Sequence, residues 1–309
     1  MICRSVTGRG SRECVDMRRC RIESLGVSLP RRHFRHWGSI RHAVEAGRQC
    51  LKTSRHFKAD VGLLINAGVH RDHHICEPAM AVFIQHRLGI NIEFQGRGTL
   101  AFDLQNGGCG MLDAAQAVTA LLQSGKTGAG LVVASEANPD RHPDPRYTYP
   151  ASGAALLLDL SPWRERGFGG FAFNTRDEYA DAYTSLVSLA QKRGRVSINR
   201  RAELEDIYLA MAGAVIEAVL AQDHLRRDEI DFVVPAQISN GFLARLPAAI
   251  GFTADKVVNL SDRLPDTLST SLFLALKLAM DGRRPVPGQK ALLLAFGSGI
   301  TVAAATYRF

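Results

Sequence analysis

Apolar residues in this chain fall into short unbroken runs that alternate with longer segments in which they recur every three or four positions. The first kind of run predicts buried strands and the second amphipathic helices. CRIESLGVSL, Cys20 to Leu29, reads as a strand ended by Pro30. A helix pattern follows from about Ser39 to Leu51, and VGLLINAG from Val61 is a strand buried on both faces. The next helix opens near Glu77 and Pro78, where proline suits a first turn, and runs to about Leu88. Thr99 to Leu104 is a strand, Asn106 to Gly110 a glycine-rich turn, and Met111 to Ser124 a helix whose apolar face is Leu112, Ala115, Val118 and Leu122. Strands at Gly130 to Ser135 and Gly153 to Leu160 close the first half.

The second half repeats this order without repeating the residues. Strands are expected near Phe168 to Asn174, Ile230 to Val234, Lys256 to Asn259, Ala291 to Ala295 and Ile300 to Tyr307. Helices are expected over Ala202 to Gln222, Gly241 to Ile250 and Thr267 to Met280. Strands alternating with helices of this length mean α/β layers, and two matched halves imply a pseudo-twofold. The division expected is a basic leader over 1–17, an N-terminal half over 18–160 and a C-terminal half over 168–309. The charged segment from Leu160 to Gly167 is the linker, whereas Asn138 to Pro150, rich in proline, is a surface loop of the first half.

Composition narrows the class. A chain of 309 residues with 46% hydrophobic and 22% charged residues is an ordinary globular one, with length for two lobes or one large α/β domain. The longest apolar stretches, such as Ala291 to Phe296, fall far short of the roughly 20 residues a membrane-spanning helix needs. Met1 to Asp16 is basic and polar and does not read as a secretory signal, and Met17 offers an alternative start. The cysteines (Cys3, Cys14, Cys20, Cys50, Cys76, Cys109) show no CxxC spacing, which points to reduced thiols and a cytoplasmic setting. The formal charge of +8 raises the question of an anionic partner, but the basic residues are not interleaved with an aromatic platform, so a nucleic acid is not expected.

Cys109 carries the strongest chemical signal. In NGGCGMLDAAQ it follows a strand and a sharp glycine turn and opens a helix, where the dipole and free N–H groups lower a thiol pKa and can hold a thioester's developing oxyanion. The alternative is a small hydrophobic cysteine packed beside glycines.

FDLQNGGCGMLDAAQ, with LVVASEANPD after it, resembles the nucleophile region of the thiolase superfamily, specifically its ketoacyl-ACP synthase III branch. AFGSGITVAAATYRF resembles that branch's closing glycine loop and last strand, and VVPAQIS, DKVVNLSDRLPDTLSTS and DGRRPVPGQKALLLAFGSG follow its block order. The resemblance covers roughly residues 18 to 309. It implies a thiolase fold of two pseudo-repeated βαβαβ halves in a five-layered αβαβα core, with Cys109 as acyl-accepting nucleophile and Gly299 and Ser298 in the oxyanion loop. Gln237 is the expected companion at the substrate. The run INAGVHRDHHICEPAMAVFIQHRLGI is similar to the condensing thiolases of bacterial olefin biosynthesis, in which a glutamate of the Glu-Pro-Ala motif reaches into the partner's site as a base. The matching residue is Glu77, whose alternative is a carboxylate at a helix start.

Two departures from the family pattern matter. The family histidine of Pro-His-Gln is Ala236 here, and the asparagine of Gly-Asn-Thr-Ser is Asp266. In a decarboxylating condensation both family residues donate hydrogen bonds to the thioester oxygen, and one lost donor costs about 3 kcal/mol or more. Malonyl decarboxylation is therefore expected to be weak. Acylation of Cys109 needs only backbone N–H groups, those of Cys109 and, by resemblance, Gly299. Some superfamily acyltransferases carry aspartate at the Asp266 position, although they retain the histidine. A base for the second step is expected from Glu77 of the partner subunit, from Asp266, or from the loop histidines His70, His73 and His74. That loop, with Cys76, fits no zinc spacing well, so no metal is expected.

Only about nine residues separate Pro30 from the helix near Ser39, where the family has a segment that grips coenzyme A. The expected donor is therefore an acyl group on phosphopantetheine, presented by an acyl carrier protein that Arg31, Arg32 and Arg35 would meet, with coenzyme A as the other form. The alternative is that these arginines merely decorate a solvated surface. The leading expectation is a homodimeric acyltransferase of fatty-acid-like or secondary metabolism. The second is a half-catalytic or non-catalytic subunit whose sister chain supplies the chemistry in a heterodimer.

Overall fold

A computed structural model describes residues 18–29, 37–92, 98–188, 190 and 194–309. The basic leader over 1–17 and Arg31, Arg32 and Arg35 lie outside the described residues. Two sheets form the frame. The first has the order β1 (Cys20–Ser28), β5 (Ser152–Leu160), β4 (Ala129–Glu136), β2 (Val61–Asn66), β3 (Leu100–Asp103). The second has the order β6 (Gly167–Thr175), β11 (Thr301–Arg308), β10 (Lys290–Gly297), β9 (Phe232–Pro235). Directions repeat as well as order. In the first sheet β5 runs antiparallel to β1 and β4 while β2 is parallel to β4 and β3. In the second, β11 runs antiparallel to β6 and β10 while β9 is parallel to β10. The strand expected at Lys256 to Asn259 is reduced to one parallel bridge between Val233 and Val257, because a 3₁₀ turn at Ala254–Lys256 uses the backbone that would extend it.

Helices complete five layers. On the outside of the first sheet lie α1 (Ser39–Thr53), against β1, β4 and β5, and α2 (Met80–Leu88), against β2 and β3. On the outside of the second, α4 (Leu204–Gln222) covers β6 and β11 and packs on α5 (Asn240–Ile250). Between the sheets run α3 (Gly110–Gln123), touching β4, β5 and β11, and α6 (Ser271–Gly282), touching β1, β9 and β10. This explains the unbroken apolar runs: Val132, Ala134, Leu156 and Leu158 face the inner core, while Leu131, Val133 and Leu157 face α1 and α2.

Helix starts are set by distant carboxylates. The Asp72 carboxylate accepts from the backbone N–H groups of Ser39 (2.6 Å) and Ile40 (3.2 Å), and it sits where any Cβ at Gly38 would collide. Asp72→Ala is expected to cost about 1–2 kcal/mol in urea unfolding by uncapping α1. Asp103 does the same for α2, accepting from Met80 and Ala81 N–H, each at 2.9 Å. For that reason α2 begins at Met80, and Glu77 and Pro78 precede it rather than opening it as the sequence suggests. The hydrophobic pattern also does not announce the hairpin of β7 (Tyr183–Val187) and β8 (Val196–Arg200).

Candidate active site

The turn that holds Cys109 and the C-terminal glycine loop meet between the sheets. A 3₁₀ turn over Gly107–Cys109 runs directly into α3, so Cys109 sits at the helix start and is fully buried. Glycine is required here by contact. A Cβ on Gly108 would lie 2.1 Å from the Phe296 carbonyl oxygen, and one on Gly107, which has φ +52°, would lie 2.8 Å from Ser298 backbone nitrogen and hydroxyl. The turn from the first half is thereby pressed onto the end of β10 from the second. The Cys109 thiol faces the same loop, its sulfur 3.4 Å from the Thr301 carbonyl, to which it donates. Gly299 turns the corner with φ +106° and open space before it.

Two expectations about Cys109 are corrected. Burial, then the Asp113 carboxyl, pushes the thiol well above its ordinary pKa, so desolvation outweighs the helix start. Its backbone N–H donates to the Asn106 carbonyl at 3.0 Å and closes the turn, so this N–H is not a free oxyanion donor. Asp113 Oδ2 accepts from the Asn106 amide at 2.7 Å, which pins the turn from below. From α4, Tyr208 reaches over and donates to the Gly297 carbonyl at 3.3 Å.

Asp266 lies on the loop leading to α6. Its Oδ1 accepts from Leu268 N–H at 2.8 Å. Desolvation raises its carboxyl to about 7, with Glu136 and Glu205 adding to the rise and the Leu268 N–H and Arg200 opposing it. Tyr208 feels both Cys109 and Asp266, which places thiol and carboxyl in one electrostatic neighbourhood. Ala236, at the end of β9, is buried and its N–H is bound to the Leu294 carbonyl, so it offers no side-chain donor. Gln237 is not free for substrate. Its amide donates to the Pro235 (2.8 Å) and Val258 (3.2 Å) carbonyls and accepts from Leu260 N–H (2.7 Å), so it braces β9 against the following loop.

The loop histidines diverge. His70 is buried against Glu136, His74 contacts Asp140 at 3.0 Å, and His73 is exposed at φ +52°. Glu77 is exposed and belongs to the same loop. Sequence reasoning missed Glu136, a fully buried carboxylate at the end of β4, and the tyrosines and Arg200 around it. The signal was available in AGLVVASE, where an acid closes a strand buried throughout, a position that requires partners.

Comparison with known proteins agrees with this geometry. Residues 220–309 match the family described as 3-Oxoacyl-[acyl-carrier-protein (ACP)] synthase III C terminal. The chain is 29% identical over 280 residues to a beta-ketoacyl-[acyl-carrier-protein] synthase III of Pectobacterium atrosepticum, covering 85% of this chain and 82% of that one. It is 28% identical over 282 residues to the protein of the same name from Escherichia coli O1:K1, covering 86% and 82%. Among solved structures, a 3-oxoacyl-(acyl-carrier-protein) synthase III superposes with TM-score 0.79 at 19% identity, covering 94% of this chain and 100% of that one. Xanthomonas campestris OleA with bound lauric acid and lauroyl-CoA superposes with TM-score 0.80 at 17% identity, covering 95% and 100%. Among the described residues no helix is long and apolar enough to cross a membrane. The doubled sheet topology and these superpositions show that the chain has the fold of the ketoacyl synthase III structures, and residues 220–309 resemble that family's C-terminal part.

Proposed function

We propose that the chain is an acyltransferase in which Cys109 takes an acyl group from a phosphopantetheine thioester and passes it to an acceptor in fatty-acid-like or secondary metabolism. The observation that carries this reading is the site's asymmetry. The buried cysteine, the glycine turn and the glycine loop lie together, while by the sequence resemblance Ala236 and Asp266 take the positions of a condensing enzyme's two donors. A carboxyl near neutrality suits proton transfer in both directions. Asp266 takes the Cys109 proton as sulfur attacks the thioester carbonyl, and the protonated carboxyl returns it to the departing thiol. In the second step Asp266 removes the proton of the acceptor while the carbon–sulfur bond to Cys109 breaks. The relatives' names point to an acyl carrier protein as donor, and in a dimer Glu77 of the partner subunit is the additional base.

The test is intact mass after incubation with a panel of acyl-carrier and acyl-CoA thioesters. One acyl group per chain is expected on the parent protein and none on Cys109→Ala; no adduct with any donor overturns the assignment. Equal rates from coenzyme A and carrier thioesters overturn carrier selectivity. The missing donor at Ala236 also favours a second reading, a subunit completed by a sister chain. Copurification with a homologue carrying the histidine and asparagine supports it, and turnover by the chain alone removes it.

A further inference from the structure

His70 joins a second chemical arrangement that Cys109 does not use. Its Nδ1 lies 2.7 Å from Glu136 Oε2, and its Nε2 lies 2.9 Å from the Ser185 hydroxyl on β7. Glu136 also accepts from the backbone N–H groups of Val69 and His70, each at 3.1 Å, and from the Ser269 hydroxyl. A carboxylate surrounded by these donors requires Nδ1 to carry the hydrogen it shares, which leaves Nε2 as the acceptor of the Ser185 proton. Carboxylate, imidazole and hydroxyl thus stand in the order and at the distances of a serine relay, which is recognised by geometry rather than by chain order.

The backbone builds this arrangement. Gly68 lets the chain leaving β2 lie on the end of β4, where a Cβ would meet the Ser135 carbonyl oxygen at 2.5 Å, and this delivers the Val69 and His70 N–H groups to Glu136. His70 is 5% exposed, held edge-on by Tyr147 with ring centroids 4.8 Å apart and stacked near Tyr149. Ser185 keeps partial exposure, so the relay runs from a buried acid to a reachable hydroxyl.

A separate observation points to a ligand. Among the described residues the buried Tyr147 hydroxyl has no hydrogen-bond partner, although its ring lies against His70. Burial, then Glu136, keeps that phenol protonated, so it is a donor with no acceptor among the described residues. On the hairpin, Tyr183 pairs with Arg200 in register and shares the strand face of Ser185, and Arg200 is anchored by the Tyr149 hydroxyl at 2.6 Å. An orphan donor whose ring lies against His70, and a cation on the strand face of Ser185, suit the oxyanion of an acyl group under attack.

The geometry assigns Ser185 as a second nucleophile, activated by His70 and Glu136, that accepts acyl groups from activated esters or thioesters. In the step, the bond from Ser185 Oγ to the acyl carbon forms as the carbon–sulfur or carbon–oxygen bond to the leaving group breaks. The serine proton passes to His70 Nε2 and from there to the leaving thiolate or alkoxide. Glu136 is a positioning residue that fixes the imidazole's tautomer.

The assignment stands apart from Cys109 and is tested with Cys109→Ala as background. A fluorophosphonate, which phosphonylates activated serines with loss of fluoride, is expected to add once per chain, on the peptide that holds Ser185. The adduct is expected to vanish in Ser185→Ala and to form about 100-fold more slowly in His70→Gln. Because His70→Gln disturbs a buried pair, Ser185→Cys supplies a second readout: its alkylation by iodoacetamide should be at least about 10-fold faster than in Ser185→Cys/His70→Gln. No adduct on Ser185 in the folded protein, or equal alkylation with and without His70, overturns the assignment.

Discussion

Asp266→Asn is expected to stabilise the protein at pH 8 while removing its acyl-transfer activity. The folded carboxyl titrates at about 7, against about 4 for a free aspartate. Between those values the native state holds a proton that the unfolded chain has released, so stability falls as pH rises from about 4 to 7. A difference of about 3 pKa units corresponds to about 4 kcal/mol at most, and the partial surface access of Asp266 reduces this to about 2–4 kcal/mol. Asparagine keeps the oxygen that accepts from Leu268 N–H and removes the charge, so the gain should be present in full at pH 8 and absent at pH 4. Urea unfolding at both pH values measures it. Transfer from acyl-Cys109 to an alcohol or amine should fall by about 100-fold or more, because the amide accepts no proton. Equal stability of the two proteins at pH 8 would show that Asp266 is an ordinary solvated carboxylate.

Such a carboxyl, costly to the fold, illustrates what a single sequence discloses. The layered architecture was legible because period-2 and period-3.6 patterns report which faces are buried: the runs around Val61, Gly130 and Ala291 became strands covered on both sides. Cys109, Ala236 and Asp266 stood out as candidates because the runs around them resemble family motifs. The rest depends on contacts between segments far apart in sequence. The start of α2 is set by Asp103 from β3, the use of Gln237 by Leu260, and the environment of His70 by Glu136 and Ser185, 66 and 115 positions away. The raised Cys109 pKa is of the same kind, since the helix start is local and visible whereas burial by the other half is not.

Restoring the two absent donors should convert the chain toward condensation. Ala236→His together with Asp266→Asn replaces a methyl group and a carboxyl that is negative above pH 7 with the two side-chain hydrogen-bond donors of the family pattern. Each oxyanion donor is worth about 3–4 kcal/mol, or a factor of about 100 to 1000 in rate. The two act on one oxygen and are not additive, so a gain of at least about 100-fold in carbon dioxide release from a malonyl-carrier thioester is the expected result. Histidine also serves as the base that Asp266→Asn removes, so acylation of Cys109 survives in the double variant. Ala236 is buried at the strand end that Gln237 braces, and circular dichroism with the urea midpoint shows whether the larger ring is accommodated. Asp266→Asn alone restores the amide without the imidazole and should fall between parent and double variant. A folded double variant that decarboxylates no faster than the parent would mean that the oxygen of a bound thioester does not lie between these two positions. Rapid decarboxylation by the parent would mean that other donors already hold that oxygen, and that condensation is its native chemistry.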